Sequence, residues 1–428
     1  MTSVAAPSPR PHLADVPIYS PGRSAEAAMA EHGIAEAIKL ASNEVPFGPL
    51  PGVAEAVGRA MNETYRYADH MAVEVAETFA ATVGVGPSHV AVGPGSVGLL
   101  QQLTLAYAGP TDDVLFPWPS FIAYPQFSGI VVANQVTVPL RRFTIDVDAV
   151  LAAVTDRTRI IFIANPNNPP STAIRTANLR RLVELAPAST LVVIDEAYHE
   201  FATGADVPNA LSLLDEFPNV VVLRTLSKAY GMAGLRVGFV VGDPRVLASV
   251  NATLIPFAVN GPAQAAAIAA LGQQDEVRRR CAVISAERDR GAQLLRRAGL
   301  GVPASQGNFW WLPAGARSAD LAVALERRGV VVRPFPTGIR VTVGAPHENA
   351  RFMDALAEVR AAEPGITAEW GLPTGELATA TADFLDGIGR ETRARMPAAT
   401  AEAEIARAAD RLGALVAELA ADEWSHVD

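Results

Sequence analysis

Along the middle of the chain, short and continuously apolar runs alternate with amphipathic stretches. The runs fall at 89–92, 113–116, 130–132, 159–163, 190–194, 220–223 and 237–241. Strands that are apolar on both faces belong in the centre of a sheet covered by helices. Helical periodicity at 97–106 and 177–185 separates several of them. The pattern therefore predicts an α/β layered domain with a mostly parallel sheet. After about residue 260 the texture changes. A long Ala-, Arg- and Glu-rich helical stretch over 262–298 precedes a strand at 308–312, a helix at 318–328 and strands at 330–333 and 338–343. That order predicts a smaller α+β domain. Residues 1–15 are rich in Pro and Ala and are expected to be loose. From residue 363 the chain is acidic and Ala-rich, with Ile405, Leu412, Val416 and Leu419 at helical spacing. Such a stripe suits a helix docked on the body of the protein. The expected division is an N-terminal segment (1–45) joining the smaller domain, a large domain (46–260), a small domain (261–362) and a helical tail (363–428).

Composition narrows the chemistry. With 428 residues, 50% of them apolar and 19% charged, the chain can bury a large core and is not of the disordered class. A net charge of −10 argues against a partner such as nucleic acid, whose binders carry a basic excess. The single cysteine, Cys281, excludes an intrachain disulfide and a Cys-based metal site. No apolar run reaches the roughly 18 residues of a membrane span, and the N-terminus lacks the order of a secretory signal. A soluble, cytoplasmic protein is expected, with no membrane partner. The 35 basic residues are 33 Arg and only two Lys, Lys39 and Lys228. Any reaction that needs a side-chain primary amine has two candidates.

Lys228 follows an apolar run and is bracketed by Thr225 and Ser227, with Arg236 eight residues on and glycines at 231, 234 and 238. Hydroxyls and a guanidinium around one amine suit a phosphorylated carbonyl ligand, which the amine can attack to form a Schiff base. Asp195 ends the run 190–194. A carboxylate there is costly without a cationic or hydrogen-bonding partner. A protonated pyridine nitrogen is one such partner; a helix N-cap or a metal are others, although no His/Glu cluster at metal spacing accompanies it. Asn165-Pro166-Asn167-Asn168-Pro169 forms a turn after another run, at the strand end where α/β sheets place ligands. Gly93-Pro94-Gly95-Ser96-Val97 opens a helix, and backbone N–H groups there can hold a phosphate. The aromatics of the stretch 117–124, Trp118, Phe121 and Tyr124, could offer a ring to stack on a planar group or fill the core.

Taken in order and spacing, these motifs resemble the fold-type-I pyridoxal-phosphate aminotransferases. The similarity is nearest to the histidinol-phosphate aminotransferase branch and, within it, to bacterial aromatic amino-acid aminotransferases. It runs from about Val16 to Asn349 and includes Ser42-Asn43-Glu44, Arg66-Tyr67, Asn165 to Pro169, Asp195-Glu196-Ala197-Tyr198, Ser227-Lys228-Ala229-Tyr230-Gly231, Gly234-Leu235-Arg236 and Arg340-Val341-Thr342. The resemblance implies fold type I, an α/β large domain that binds pyridoxal 5′-phosphate, and a homodimer with shared active sites. Lys228 would form the Schiff base and carry the proton. Asp195 would pair with the pyridine nitrogen, and Asn168 and Tyr198 with the phenolic oxygen. Ser96, Val97, Thr225, Ser227 and Arg236 would hold the phosphate, with Tyr67 reaching over from the other subunit. Phe121 would stack on the ring. Arg340 would take the substrate α-carboxylate, with Tyr19, Asn43 and Arg333 on the substrate side; no metal is implied. Lys39 lacks a comparable cage.

The sequence also departs from the family pattern. The turn after Asn168 reads Pro169-Pro170-Ser171 where Pro-Thr-Gly is usual, Ala68 follows Arg66-Tyr67 where proline is expected, and Phe121 stands where Tyr is common. Between Arg333 and Arg340 lies a short Pro- and Phe-containing segment instead of a longer polar one. This favours an aromatic or other uncharged substrate side chain over a phosphorylated one. The resemblance as a whole implies transfer of an amino group from an aromatic L-amino acid to 2-oxoglutarate, or the reverse, by a ping-pong mechanism. Histidinol-phosphate transamination is the nearest alternative, followed by a related decarboxylase or an inactive binding homologue.

Overall fold

The computed structural model describes residues 8–18, 21–363 and 365. Tyr19 and the apolar stripe from Ile405 to Leu419 lie outside the described residues. The strands, in chain order, are β1 (Ile38–Lys39), β2 (Val90–Gly93), β3 (Asp113–Trp118), β4 (Asn134–Pro139), β5 (Thr158–Ala164) and β6 (Leu191–Asp195). They continue with β7 (Val220–Thr225), β8 (Gly238–Gly242), β9 (Phe309–Leu312), β10 (Val330–Val331), β11 (Arg333–Phe335) and β12 (Gly338–Thr342).

Seven of these form one sheet in the order β2-β8-β7-β6-β5-β3-β4. The pairs from β7 through β4 are parallel, and β8 runs antiparallel to both β7 and β2. Strand β6 shows why its run is apolar throughout. Leu191 and Val193 pack into a cluster with Leu99, Leu103, Phe116 and Tyr124 from one side. Val192 and Ile194 pack with Leu179, Leu182 and Val183 of the helix Thr176–Leu185 on the other. Both faces are covered, so neither can carry polar side chains. The fold is the expected α/β class. A separate antiparallel sheet, β11-β12-β9, packs with the helices Gln274–Arg297, Ser318–Glu326 and Pro346–Ala362, and β1 pairs in parallel with β10.

Three local expectations are corrected. The run 130–132 is not a strand: Ile130 ends the helix Ala123–Ile130, and Val132 turns through a left-handed φ of 62°. The strand instead begins at Asn134 and lies at the sheet edge, where Gln135 and Thr137 can face water. The helical stretch 262–298 is two helices, Gly261–Leu271 and Gln274–Arg297. Gln274 Nε2 donates to the Leu271 carbonyl at 2.9 Å and closes the first helix. The strand expected at 330–333 divides into β10 and β11. Near the N-terminus, Pro11–Ala14 form a turn of 3-10 helix. No helix among the described residues is long and apolar enough to cross a membrane.

The carboxyl ends of β5, β6 and β7 lie at one edge, and the antiparallel turn of β8 brings Gly238 opposite Thr225 there. A buried ion pair fastens this edge. Arg224 donates through Nε (2.9 Å) and Nη2 (2.6 Å) to Glu196 Oε2, while Glu196 Oε1 accepts from the Ala210 N–H at 2.9 Å. Both side chains are almost wholly shielded from water. Losing one partner of such a pair leaves an uncompensated buried charge. Glu196→Ala is therefore expected to lower stability by about 3–5 kcal/mol in urea unfolding. Removing Glu216 from its exposed pair with Arg180 is expected to cost less than about 1 kcal/mol in the same measurement.

Candidate active site

A cavity of about 530 Å³ opens at that edge of the sheet, lined by the ends of the central strands and by β11, β12 and the 41–43 segment. It gathers Asn43, Ser96, Val97, Phe121, Asn168, Asp195, Tyr198, Thr225, Ser227, Lys228, Arg236, Arg333 and Arg340. These residues span most of the described chain, and the fold alone brings them together. Tyr67 does not enter the cavity: it is 84% exposed and stacks on Phe257 with ring centroids 4.4 Å apart.

Lys228 Nζ donates to the Ser42 carbonyl at 3.1 Å. Burial brings its amine down to about 8, and the positive charges of Arg340 and Arg236 push the same way against Glu44. Lys39, the other lysine, pairs with Glu44 at 2.9 Å and is absent from the cavity wall. Asp195 is 5% exposed. Its Oδ1 accepts from the Ala197 N–H (3.2 Å) and its Oδ2 from the Tyr124 hydroxyl (3.3 Å). Burial raises this carboxyl to about 6, outweighing those hydrogen bonds. A carboxylate so placed favours a cation as its remaining partner.

At one end of the cavity the groups form an anion cup. The helix Gly95–Tyr107 begins there, with Ser96 and Val97 in its first turn. Arg236 Nη1 donates to Ser227 Oγ at 3.1 Å, and Thr225 Oγ1 donates to Ser227 Oγ at 3.0 Å. Two glycines make the cup possible. A Cβ on Gly95 would fall 2.5 Å from Arg236 Nη2, and one on Gly238 would fall 2.3 Å from Ser96 N. Helix-terminal N–H groups, two hydroxyls and a guanidinium are a donor set for a phosphate.

At the other end Arg340 donates to Asn168 Oδ1 (2.6 Å) and to the Ala41 carbonyl (2.8 Å). The Tyr198 hydroxyl accepts from Asn168 Nδ2 (3.3 Å) and Asn43 Nδ2 (3.0 Å). Phe335 lies under Arg340, and Arg333 donates to the Pro21 carbonyl at 2.5 Å. The altered turn keeps Asn168 in place by a device of its own. Ser171 takes φ +67°, and its Oγ accepts from Gly307 N (2.9 Å) and lies 2.6 Å from Ser305 Oγ. A residue with a Cβ is thus held where glycine fits most easily.

Several contributors had no sequence signal: the Ala41 and Ser42 carbonyls, and Ser120, which donates to Asn167 Oδ1 at 2.6 Å. Tyr124 was visible as an aromatic, but its hydroxyl partner was not. Among the described residues no cluster of His, Cys, Asp and Glu stands ready to hold a metal.

The family profile described as "Aminotransferase class I and II" matches residues 35–357. An aromatic amino acid aminotransferase of Thermobifida fusca (strain YX) is 46% identical over 345 residues, covering 80% of this chain and 95% of that protein. One from Mycobacteroides abscessus is 48% identical over 345 residues, covering 80% and 96%. Among solved structures, a histidinol-phosphate aminotransferase from Sinorhizobium meliloti, in complex with pyridoxal-5′-phosphate, has a TM-score of 0.76 at 29% identity. It covers 84% of this chain and 99% of that one.

The lowered Lys228 pKa has a consequence for folding of the ligand-free protein. Between about 8 and the ordinary 10.5 the unfolded chain binds a proton that the native amine does not, so stability rises with pH across that window. Below about 8 the native state carries the full cost of a buried charge. Lys228→Met is expected to be the more stable protein at pH 7 by about 1–3 kcal/mol, less than the full shift because water reaches the cavity. The difference is expected to vanish above about pH 10.5, as followed by urea unfolding at several pH values.

Proposed function

The chain belongs to the class I and II aminotransferases, and from that premise we propose that it moves the amino group of an aromatic L-amino acid to 2-oxoglutarate with pyridoxal 5′-phosphate as its cofactor. The observation that carries this reading is the joint placement of Arg340, Asn168, Tyr198, Asp195, Lys228 and Arg236 around one cavity. The residues present suit the cofactor: a glycine-permitted anion cup at one end, a buried carboxylate seeking a cation in the middle, and the amine beside it.

When bound, the cofactor supplies the electron sink and carries the amino group between the two half-reactions. The protein supplies the rest. Thr225, Ser227, Arg236 and the backbone of Ser96 and Val97 anchor the phosphate. Asp195 would pair with the ring nitrogen, Asn168 and Tyr198 would donate to the phenolic oxygen, and Phe121 would cover the ring face. Lys228 would provide the amine that holds the cofactor and would carry the proton between the substrate Cα and the cofactor's C4′. Arg340 receives the substrate α-carboxylate through its planar fork. In a ping-pong reaction the same fork serves donor and acceptor in turn.

On the substrate side, Phe335 and Ile122 line the cavity, and Arg333 is engaged by the Pro21 carbonyl. An uncharged aromatic side chain suits that wall, and the names of the relatives from Thermobifida and Mycobacteroides agree with it. Asn43 closes this side by its bond to Tyr198. Arg333 also favours a second reading, histidinol phosphate as donor, since a guanidinium lies within the same cavity. A cytoplasmic homodimer completes the proposal, with Tyr67 of the partner subunit reaching the phosphate. Tyr65, Tyr67 and Ile255 are highly exposed apolar residues on one chain, as a buried subunit contact requires.

Purified protein given the cofactor is expected to show a visible absorption band that Lys228→Ala loses, together with a fall in kcat of about 1,000-fold or more. A wild type with no such band would overturn the reading. Phenylalanine is expected to exceed histidinol phosphate in kcat/KM with 2-oxoglutarate; at least a tenfold preference for the phosphate ester would reverse the choice of donor.

A further inference from the structure

Tyr124 is wholly buried near the start of the helix Ala123–Ile130, and it touches two of the groups that face the cofactor site. Its ring is stacked on Phe162 at 4.7 Å with planes 6° apart, and it meets Phe121 edge-on at 5.7 Å and 88°. Phe116 leans on it at 5.9 Å. These three rings enclose the Tyr124 ring in the core. So held, its hydroxyl lies 3.3 Å from Asp195 Oδ2. Burial, and then the negative charge of Asp195, raise the ionisation of this hydroxyl well above the ordinary tyrosine value, so it stays a donor.

A buried tyrosine needs one hydrogen-bond partner, and a backbone carbonyl would serve. Here the partner is the one carboxylate expected to meet the ring nitrogen. We propose that Tyr124 is a positioning residue for the transamination site: its hydroxyl holds Asp195 in its anionic form and orientation, while its ring fixes Phe121 over the cofactor. The role presupposes the cofactor assignment made above. Its physical basis is the basicity of the carboxylate. Without the donated hydrogen bond Asp195 becomes the stronger base. The proton shared with the ring nitrogen then moves toward Asp195, and the ring withdraws electrons less effectively.

Tyr124→Phe removes the oxygen and keeps the ring. In full-length protein loaded with cofactor isotopically labelled at the ring nitrogen, the variant is expected to move the nitrogen resonance toward its unprotonated position. The cofactor dissociation constant is expected to rise about tenfold, as for loss of a hydrogen bond to a charged group. Tm should stay within a few degrees because the packed ring remains. In an Asp195→Asn background the same substitution should change neither readout. Wild-type values in Tyr124→Phe, an effect that persists in the Asp195→Asn background, or a variant that does not fold would each overturn the role. Wild-type protein that takes up no cofactor would overturn the functional reading itself, and this role with it.

Discussion

Two adjacent carboxylates, Asp195 and Glu196, lie buried at the end of β6, and the way each is satisfied organises the site. Burying one charge is costly, and burying two side by side requires a distinct partner for each. Glu196 is answered from within the protein, by the fork of Arg224 and the Ala210 N–H. Asp195 receives one N–H and one hydroxyl, and its carboxyl still sits near 6. The chain thus satisfies the structural carboxylate more fully than Asp195, whose proposed further partner is the cationic ring nitrogen. The Arg224 pairing also fixes β7 against β6, which places Thr225, Ser227 and Lys228 at a set distance from Asp195.

Close backbone approach is the second condition. The anion cup exists because Gly95 and Gly238 have no Cβ, so Arg236 and the first turn of the helix Gly95–Tyr107 can converge. Arg236 itself takes a left-handed φ of 57°. That conformation is unfavourable for a side-chain-bearing residue, and it is held by bonds to Ser227 and to the Ala233 carbonyl. Backbone strain and glycine spacing together put a positive charge where a phosphate would lie.

Asn168 then links the two ends of the cavity. Its side-chain oxygen accepts from Arg340, and its amide donates to Tyr198, which also receives Asn43. The groups assigned to the substrate carboxylate and to the cofactor oxygen therefore share one network, reached through the turn that Ser171 stabilises. Two side-chain hydrogen bonds, Arg340 to Asn168 and Asn168 to Tyr198, connect the two ends.

By itself the sequence determined the covered central strands, because a strand buried on both faces must be apolar throughout. It also determined Lys228 as the amine with a cage, because hydroxyls, glycines and an arginine lie within ten residues of it. What it could not determine were features set by neighbours distant along the chain. The run 130–132 looked like a strand, but its apolar residues end a helix packed on the sheet. The helical stretch 262–298 breaks at Gly272, a stop signal that composition alone passes over. Above all, the partners of Asp195 and Glu196, and the turn of Tyr124 toward Asp195, were decided only in the tertiary structure. The sequence singled out Asp195 at the end of an apolar run but gave neither carboxylate its partners. Their difference comes from which strand end and which helix bring a donor within reach, and that is a property of the packed fold.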